Sequence, residues 1–244
     1  MEYLEHCAAV EREVDAIVEA VASGPVDSST PTCPGWTVTD LVEHVGGFSG
    51  FWAHVLCEGS GRPNTLFPDM PSGEPIAGWY ADVAADLVRE LGATAADQSV
   101  WTWVPDRQNA AFVARRCAHE LAIHRCDVQA ARGTMQPIEG ELAADGIEEI
   151  FVMIEAFAAR GEETGRGTGE TLRLHATDRE DEWLVRLTPT GLQIERDDTA
   201  DDLALRGAAS DIELLLYQRP TIGTVEHLGD PAVLDAWYRA FHFG

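Results

Sequence analysis

The chain has 244 residues, of which 45% are hydrophobic, and carries 42 acidic side chains against 17 basic ones, all of them arginine. A formal net charge of −25 repels nucleic acid and anionic lipid, so neither is expected as a partner. No run of about eighteen apolar residues predicts a membrane span, and the acidic N-terminus does not resemble a signal peptide. We therefore expect a cytoplasmic protein, either a monomer or a homodimer.

Cysteine usage agrees with this expectation. The chain has five cysteines and no CxxC pair. An odd number of cysteines without a secretory signal predicts free thiols and argues against a disulfide framework. The missing CxxC pair also argues against a zinc ribbon or a thioredoxin-like redox protein.

Apolar side chains at helical spacing predict four helices in the first half of the chain. They cover residues 2–21, 38–57, 77–91 and 109–132. The second helix begins at a capping-box pattern, Thr37 to Asp40, and contains Gly46 and Gly47, which permit either close helix packing or the approach of a ligand. A tryptophan-rich loop over residues 94–106 either lines a substrate site or closes the end of the helices.

The second half of the chain has a different pattern. A fifth helix over 141–160 is followed by a glycine-rich linker over 161–170. Short alternating segments then predict strands over 171–176, 182–188, 192–196, 202–206 and 224–227, with helices over 210–218 and 231–241. Strands followed by helices form a small α+β domain. We therefore predict an α+β protein with domains over 1–160 and 161–244, the second beginning with the glycine-rich linker.

The fourth helix carries an acid and an imidazole on one face. Glu120 and His124 are four residues apart, about 40° around the helix, on a stripe that also carries apolar side chains. Such a pair is either a solvated ion pair or two ligands of a divalent metal. Asp127 lies on the same side and is either a partner that orients His124 or a surface acid. Cys117 also shares this face, as a further ligand or as a small core residue.

The second helix supplies a third candidate. His44 lies on its apolar side, where a histidine is either a satisfied core residue or a ligand. If the two helices face each other, His44, Glu120 and His124 give two imidazoles and one carboxylate. Three protein ligands leave a fourth position open, as in catalytic zinc sites. The same set also binds ferrous iron, so the ligands alone do not fix the metal.

Two motifs together resemble the mycothiol-dependent maleylpyruvate isomerase family, within the DinB-like metalloenzymes. They are TPTCPGWTVTDLVEHVGGFSGFW at residues 30–52 and ARRCAHELAIHRCDVQAA at residues 114–131. The resemblance implies a DinB-like four-helix bundle followed by a small sterol-carrier-protein-like α+β domain. It also implies zinc ligation by His44, Glu120 and His124. An arginine of the family's second domain, which holds the anionic substrate, matches Arg219, although the family's preceding glycine is Gln218 here.

The chemistry that this resemblance implies is thiol activation. Zinc, or another divalent metal, with an open position lowers the pKa of a low-molecular-weight thiol, which the resemblance identifies as mycothiol. The thiolate then adds to a small electrophile such as maleylpyruvate. Release after bond rotation gives cis–trans isomerisation, and retention gives S-transfer. The alternatives are a non-catalytic metal- or ligand-binding protein, and a metal-dependent hydrolase in which water replaces the thiol.

Overall fold

A computed structural model describes residues 1–59, 75–160, 166–195 and 201–241. Its elements, in chain order, are α1 (Tyr3–Ala22), α2 (Val38–Glu58), α3 (Ile76–Ala93), α4 (Ala110–Arg132), α5 (Gly140–Ala159), β1 (Thr171–Ala176), β2 (Glu182–Thr188), β3 (Gly191–Glu195), β4 (Leu203–Gly207), α6 (Ala209–Leu216), β5 (Glu226–Gly229) and α7 (Ala232–Ala240). The predicted α+β class is confirmed. The sequence also predicts a proline- and glycine-rich connection over 59–76, and most of it lies outside the described residues. So do residues 161–165 of the predicted linker and the last residue of the strand expected over 192–196.

The contacts between residues divide the chain into two compact units, Met1–Gln136 and Pro137–Gly244. The sequence-based boundary after residue 160 assigns α5 to the first domain, whereas the contacts assign it to the second unit. The difference arises because α5 packs against α6 and β3. An amphipathic helix shows in its sequence that it buries one face, but not against which element.

Among the described residues of the first unit, four helices pack together. α4 packs against α1 and α2, and α3 packs against the same two helices. The core between them consists of apolar side chains that are at most 1% exposed, among them Val10, Ile17, Leu41, Leu87 and Leu121. Within the described ranges, no helix is both long enough and apolar enough to cross a bilayer.

The ends of α2 and α4 are fixed by local hydrogen bonds. The predicted capping box of α2 is confirmed: the side chain of Thr37 accepts from the amide of Asp40, and the Asp40 carboxylate accepts from the amide of Thr37 at 2.7 Å. The side chain of Asn109 caps α4 by accepting from the amide of Phe112 at 2.9 Å. α4 ends at Gly133, whose φ of 68° is the left-handed conformation in which glycine commonly stops a helix. These caps define the register of the two helices that carry the candidate ligands.

Gly46 allows α2 to pack closely on α3. A Cβ atom at this position would lie 2.3 Å from Cη2 of Trp79, a buried side chain of α3. Of the two roles that the sequence permits for this glycine, the structure therefore favours close helix packing.

The tryptophan-rich loop before α4 packs on the helices. The ring of Trp103 lies 5.4 Å from that of Trp52 on α2 and 5.7 Å from that of Phe112 on α4. Trp101 stacks on Trp52 at 6.5 Å. These contacts favour the interpretation that the loop closes the end of the helices.

The second unit contains a five-stranded mixed sheet in the order β3-β2-β1-β4-β5. β1 pairs in parallel with β4, and the other neighbouring strands are antiparallel. α6 packs on β1 and β4, and Trp237 of α7 donates from its indole nitrogen to the carbonyl of Leu216 at 3.1 Å. The sheet and its helices therefore bury a core of their own.

Candidate metal centre

α2 and α4 bring the three predicted ligands together. Nε2 of His44 lies 3.1 Å from Oε1 of Glu120, and Nε2 of His124 lies 3.4 Å from the same oxygen. The rings of His44 and His124 are 4.9 Å apart and nearly perpendicular. One potential ligand atom from each of the three residues lies within 4.8 Å of the other two. The sequence made a shared site conditional on α2 and α4 facing each other, and these distances place the three side chains side by side.

The three side chains differ in their access to solvent. His124 is 6% exposed, Glu120 20% and His44 34%. His44 is thus less buried than its place among the apolar side chains of α2 predicts. Its ring lies 5.4 Å from that of Trp36, which precedes the helix. The side of the group at His124 is therefore buried in the helical core. The side at His44, next to Trp36, is partly exposed to solvent.

His124 is held from behind by Asp127. Nδ1 of His124 and Oδ2 of Asp127 are 2.9 Å apart, and Asp127 is fully buried. The same Asp127 oxygen accepts from Sγ of Cys33 at 3.4 Å. Of the two interpretations of Asp127, the structure favours the partner that orients His124. A carboxylate on the far nitrogen of an imidazole fixes its tautomer and makes the other nitrogen a better metal ligand.

Glu120 has a second charged neighbour on its own helix. Nη2 of Arg116, one turn earlier, donates to Oε2 of Glu120. Burial alone raises the pKa of Glu120, but the charge of Arg116 and the hydrogen bonds from His124 and His44 hold this pKa well below its ordinary value. Glu120 is therefore ionised at neutral pH and available as an anionic ligand.

The pKa of His124 is shifted in the opposite direction. Burial lowers it, but the hydrogen bonds to Asp127 and Cys33 and the nearby Glu120 carboxylate raise it well above its ordinary value. Without a cation, these neighbours therefore favour the protonated form of His124. A divalent cation can replace that proton, because it supplies positive charge at the same place.

Three neighbours of the group were not identified from the sequence as parts of the site: Cys33, Trp36 and Arg116. Cys33 and Trp36 belong to the CPGW motif, whose position just before the helix of His44 was the available signal. Arg116 precedes Glu120 by four residues, the spacing of a helical ion pair. Cys117, the other cysteine considered, is fully buried in the core, and the described residues that could share a metal with Glu120 are His44 and His124.

Arg219 lies in the second unit, directly after α6. Its Nη1 donates to the carbonyl of Tyr217 at 2.8 Å. Gln218, which replaces the family's glycine, has a φ of 60°, the left-handed conformation that glycine adopts without strain and other residues at a cost of about 1–2 kcal/mol. The amides of Gln218 and Arg219 close the end of α6 on the carbonyls of Leu215 and Leu214. The backbone turn before the arginine is thus formed without the glycine.

Comparison with known proteins adds a second line of evidence. The family model described as the mycothiol maleylpyruvate isomerase N-terminal domain matches residues 7–129. The chain is also similar to the crystal structure of the mycothiol-dependent maleylpyruvate isomerase and to that of its variant with a histidine replaced by alanine. In both cases the sequence identity is 14%, the TM-score is 0.65, and the match covers 93% of this chain and 93% of the other. At this identity the likeness establishes the fold. No protein of curated function matches the chain.

Proposed function

This chain belongs to the family of mycothiol maleylpyruvate isomerase N-terminal domains, and from that premise we propose that it is a zinc-dependent enzyme that activates mycothiol. The thiol is used either for cis–trans isomerisation of a small electrophile such as maleylpyruvate or for S-transfer to one. The observation that carries the proposal is the convergence of His44, Glu120 and His124 within 4.8 Å.

The donor set fits a zinc ion. Nitrogen and oxygen ligands of tetrahedral zinc lie about 2.0–2.2 Å from the metal and hence roughly 3.3–3.5 Å from one another. The distances of 3.1 and 3.4 Å from the Glu120 oxygen to the two imidazole nitrogens are close to this spacing. Two imidazoles and one carboxylate also suit ferrous iron, so zinc is the proposal and metal analysis is part of its test.

Each residue of the site has a defined task. His44, Glu120 and His124 would hold the cation, which when bound supplies a Lewis acid that lowers the pKa of a thiol. Asp127 keeps the proton of His124 on Nδ1 and leaves Nε2 to face the cation. Three protein donors leave one position for an exogenous ligand, and the exposed side near His44 is where that ligand can enter.

The charges of the site favour an anionic ligand over water. Glu120 and Asp127 each carry one negative charge and Arg116 one positive charge, so a divalent cation leaves these groups with a single excess positive charge. A thiolate or a hydroxide neutralises that charge, whereas neutral water does not. This balance supports an anionic fourth ligand, and the thiol dependence of turnover separates thiol activation from hydrolysis, the rival that uses the same ligands.

We also propose a role for Arg219, a domain assignment and a location. Arg219 would bind the carboxylate of the substrate, because its planar guanidinium matches that group. The first unit, with four packed helices, would be the DinB-like bundle, and the second, with its mixed sheet, the sterol-carrier-protein-like domain. A cytoplasmic location is supported by the five free cysteines, since thiols stay reduced there. Neither nucleic acid nor membrane is proposed as a partner.

The test is thiol-dependent turnover in matched variants. The metal-loaded wild type should isomerise maleylpyruvate, or conjugate an electrophile, only when mycothiol is added. His44→Ala should lose metal and at least about 100-fold in activity. His54→Ala, which removes an exposed histidine from the same helix, should keep both, and Arg219→Gln should raise the KM for a carboxylate substrate without loss of metal.

Three outcomes would contradict the proposal. Turnover without added thiol would indicate a hydrolase. Metal binding without turnover of any electrophile would indicate a binding protein. Equal metal content in wild type and His44→Ala would show that the proposed metal site is wrong.

A further inference from the structure

The two oxygens of the Glu120 carboxylate face different partners. Oε1 lies near Nε2 of both His44 and His124, at 3.1 and 3.4 Å. Oε2 accepts from Nη2 of Arg116. One oxygen is thus directed at the point where a cation would lie, and the other is engaged by a guanidinium.

Arg116 is well placed to keep the two oxygens of Glu120 in these different contacts. It lies one helical turn before Glu120, and its side chain is only 5% exposed. Its guanidinium stays charged at all ordinary pH values and donates in a fixed planar geometry. A buried guanidinium would be costly without its partner, so the ion pair resists displacement.

The division matters for coordination. A carboxylate binds a metal through one oxygen or through both. If Glu120 used both, the two imidazoles and the two oxygens would supply four protein donors and fill a tetrahedral shell. If it uses Oε1 alone, one position stays available for an exogenous thiol.

We propose that Arg116 is a positioning residue that holds Glu120 in ligation through a single oxygen and thereby keeps one coordination position open. This inference rests on the proposed function of the site. It assigns Arg116 no contact with substrate or metal. Its effect reaches the reaction through Glu120.

Cobalt(II) is a suitable probe, because a thiolate bound to it adds a charge-transfer band. In wild type loaded with Co²⁺, addition of 2-mercaptoethanol should produce that band. In Arg116→Gln, one Co²⁺ should still bind per chain, and the thiol affinity read from the band should fall about tenfold or more. Arg116→Lys should restore the thiol affinity, since an ammonium can still occupy Oε2. Arg115→Gln, with the same loss of charge one position earlier, should behave like wild type.

The outcomes separate this inference from the proposed function. If wild type binds no Co²⁺, the proposed site fails. If wild type binds Co²⁺ and thiol, and Arg116→Gln binds thiol with the same affinity, the inference on Arg116 is wrong. Loss of Co²⁺ binding in a folded Arg116→Gln would also overturn it, because the arginine would then be needed for binding and not for the mode of ligation.

A second measurement does not depend on the folding of a variant. X-ray absorption of zinc-loaded wild type should show a single protein oxygen and two imidazole nitrogens in the first shell. Addition of thiol should place one sulfur at about 2.3 Å and remove only the exogenous ligand. Two carboxylate oxygens at equal distance from zinc would overturn the inference.

Discussion

At the scale of single residues, the candidate centre is a set of paired charges. Glu120 is paired with Arg116, and His124 is paired with Asp127. The sequence paired Glu120 with His124, because residues four apart on a helix share a face, and added His44 on the condition that α2 and α4 meet. It could not predict that Cys33 donates to Asp127 or which oxygen of Glu120 accepts from Arg116. Those facts depend on side-chain rotamers and on how a loop from another part of the chain lies against α4.

Asp127→Asn tests the pairing of His124. The new asparagine amide does not stabilise the proton on Nδ1 of His124 as the carboxylate does, and it can turn its NH2 group toward the ring. Zinc affinity at pH 8 should therefore fall about 10- to 100-fold. Because Asp127 helps to raise the pKa of His124, this pKa should be lower in the variant. Protons then compete less strongly with zinc for His124 at low pH. The difference in zinc affinity between variant and wild type should therefore become smaller as the pH falls from 8 to 6. Competition with a chromophoric chelator measures both affinities.

The matched control is Asp15→Asn, which removes one carboxylate from the exposed side of α1. It should leave zinc affinity unchanged at both pH values. A gap between Asp127→Asn and wild type that widens toward pH 6 would contradict the assignment, because it would mean that Asp127 does not favour the protonated imidazole.

At the scale of elements, the bounds of the helices were easier to predict than the elements against which they pack. The capping box of α2 and the glycine that ends α4 are local signals, and both elements begin or end within about one residue of the prediction. The packing of α5 on α6 and β3 is not local, so the sequence-based domain boundary after residue 160 differs from the division at 136. For the same reason the sequence left two roles open for Gly46, and only the position of Trp79 decides between them.

Gly46→Ala tests the close packing of α2 on α3. The added methyl group meets a rigid, buried indole at 2.3 Å, and overpacking of this kind costs typically about 1–3 kcal/mol. Alanine is a better helix former by about 0.5–1 kcal/mol, so the net loss in free energy of unfolding should be about 1–2 kcal/mol by urea titration. Gly92→Ala on α3, where the methyl group meets open space, should be neutral or stabilising. A Gly46→Ala protein as stable as wild type would show that Trp79 moves aside freely.

At the scale of the whole molecule, the metal should act as a ligand that stabilises the folded chain. A ligand that binds only the folded state adds about 2.7 kcal/mol at a concentration 100 times its Kd. For a chain of this size, we expect zinc to raise the Tm by roughly 5–10 °C and a chelator to reverse the increase. The Tm of His44→Ala should respond little to zinc.

Hydrogen exchange shows where that stabilisation is located. All three proposed ligands lie on α2 and α4, so peptides from these helices should gain protection when zinc is added. Peptides from β1 and β2 serve as the internal control. An unchanged Tm at saturating zinc, or protection confined to the sheet, would contradict a metal centre between α2 and α4.

The graded exposure of the three ligands gives the centre a floor and a mouth. His124, braced by Asp127, forms the floor, and His44 beside the indole of Trp36 forms the rim. A bulky thiol would have to leave most of its atoms outside and insert only its sulfur past His44 and Trp36. Discrimination among thiols would then depend on contacts with His44 and Trp36, and the buried side chains around His124 would contact the sulfur of any thiol in the same way.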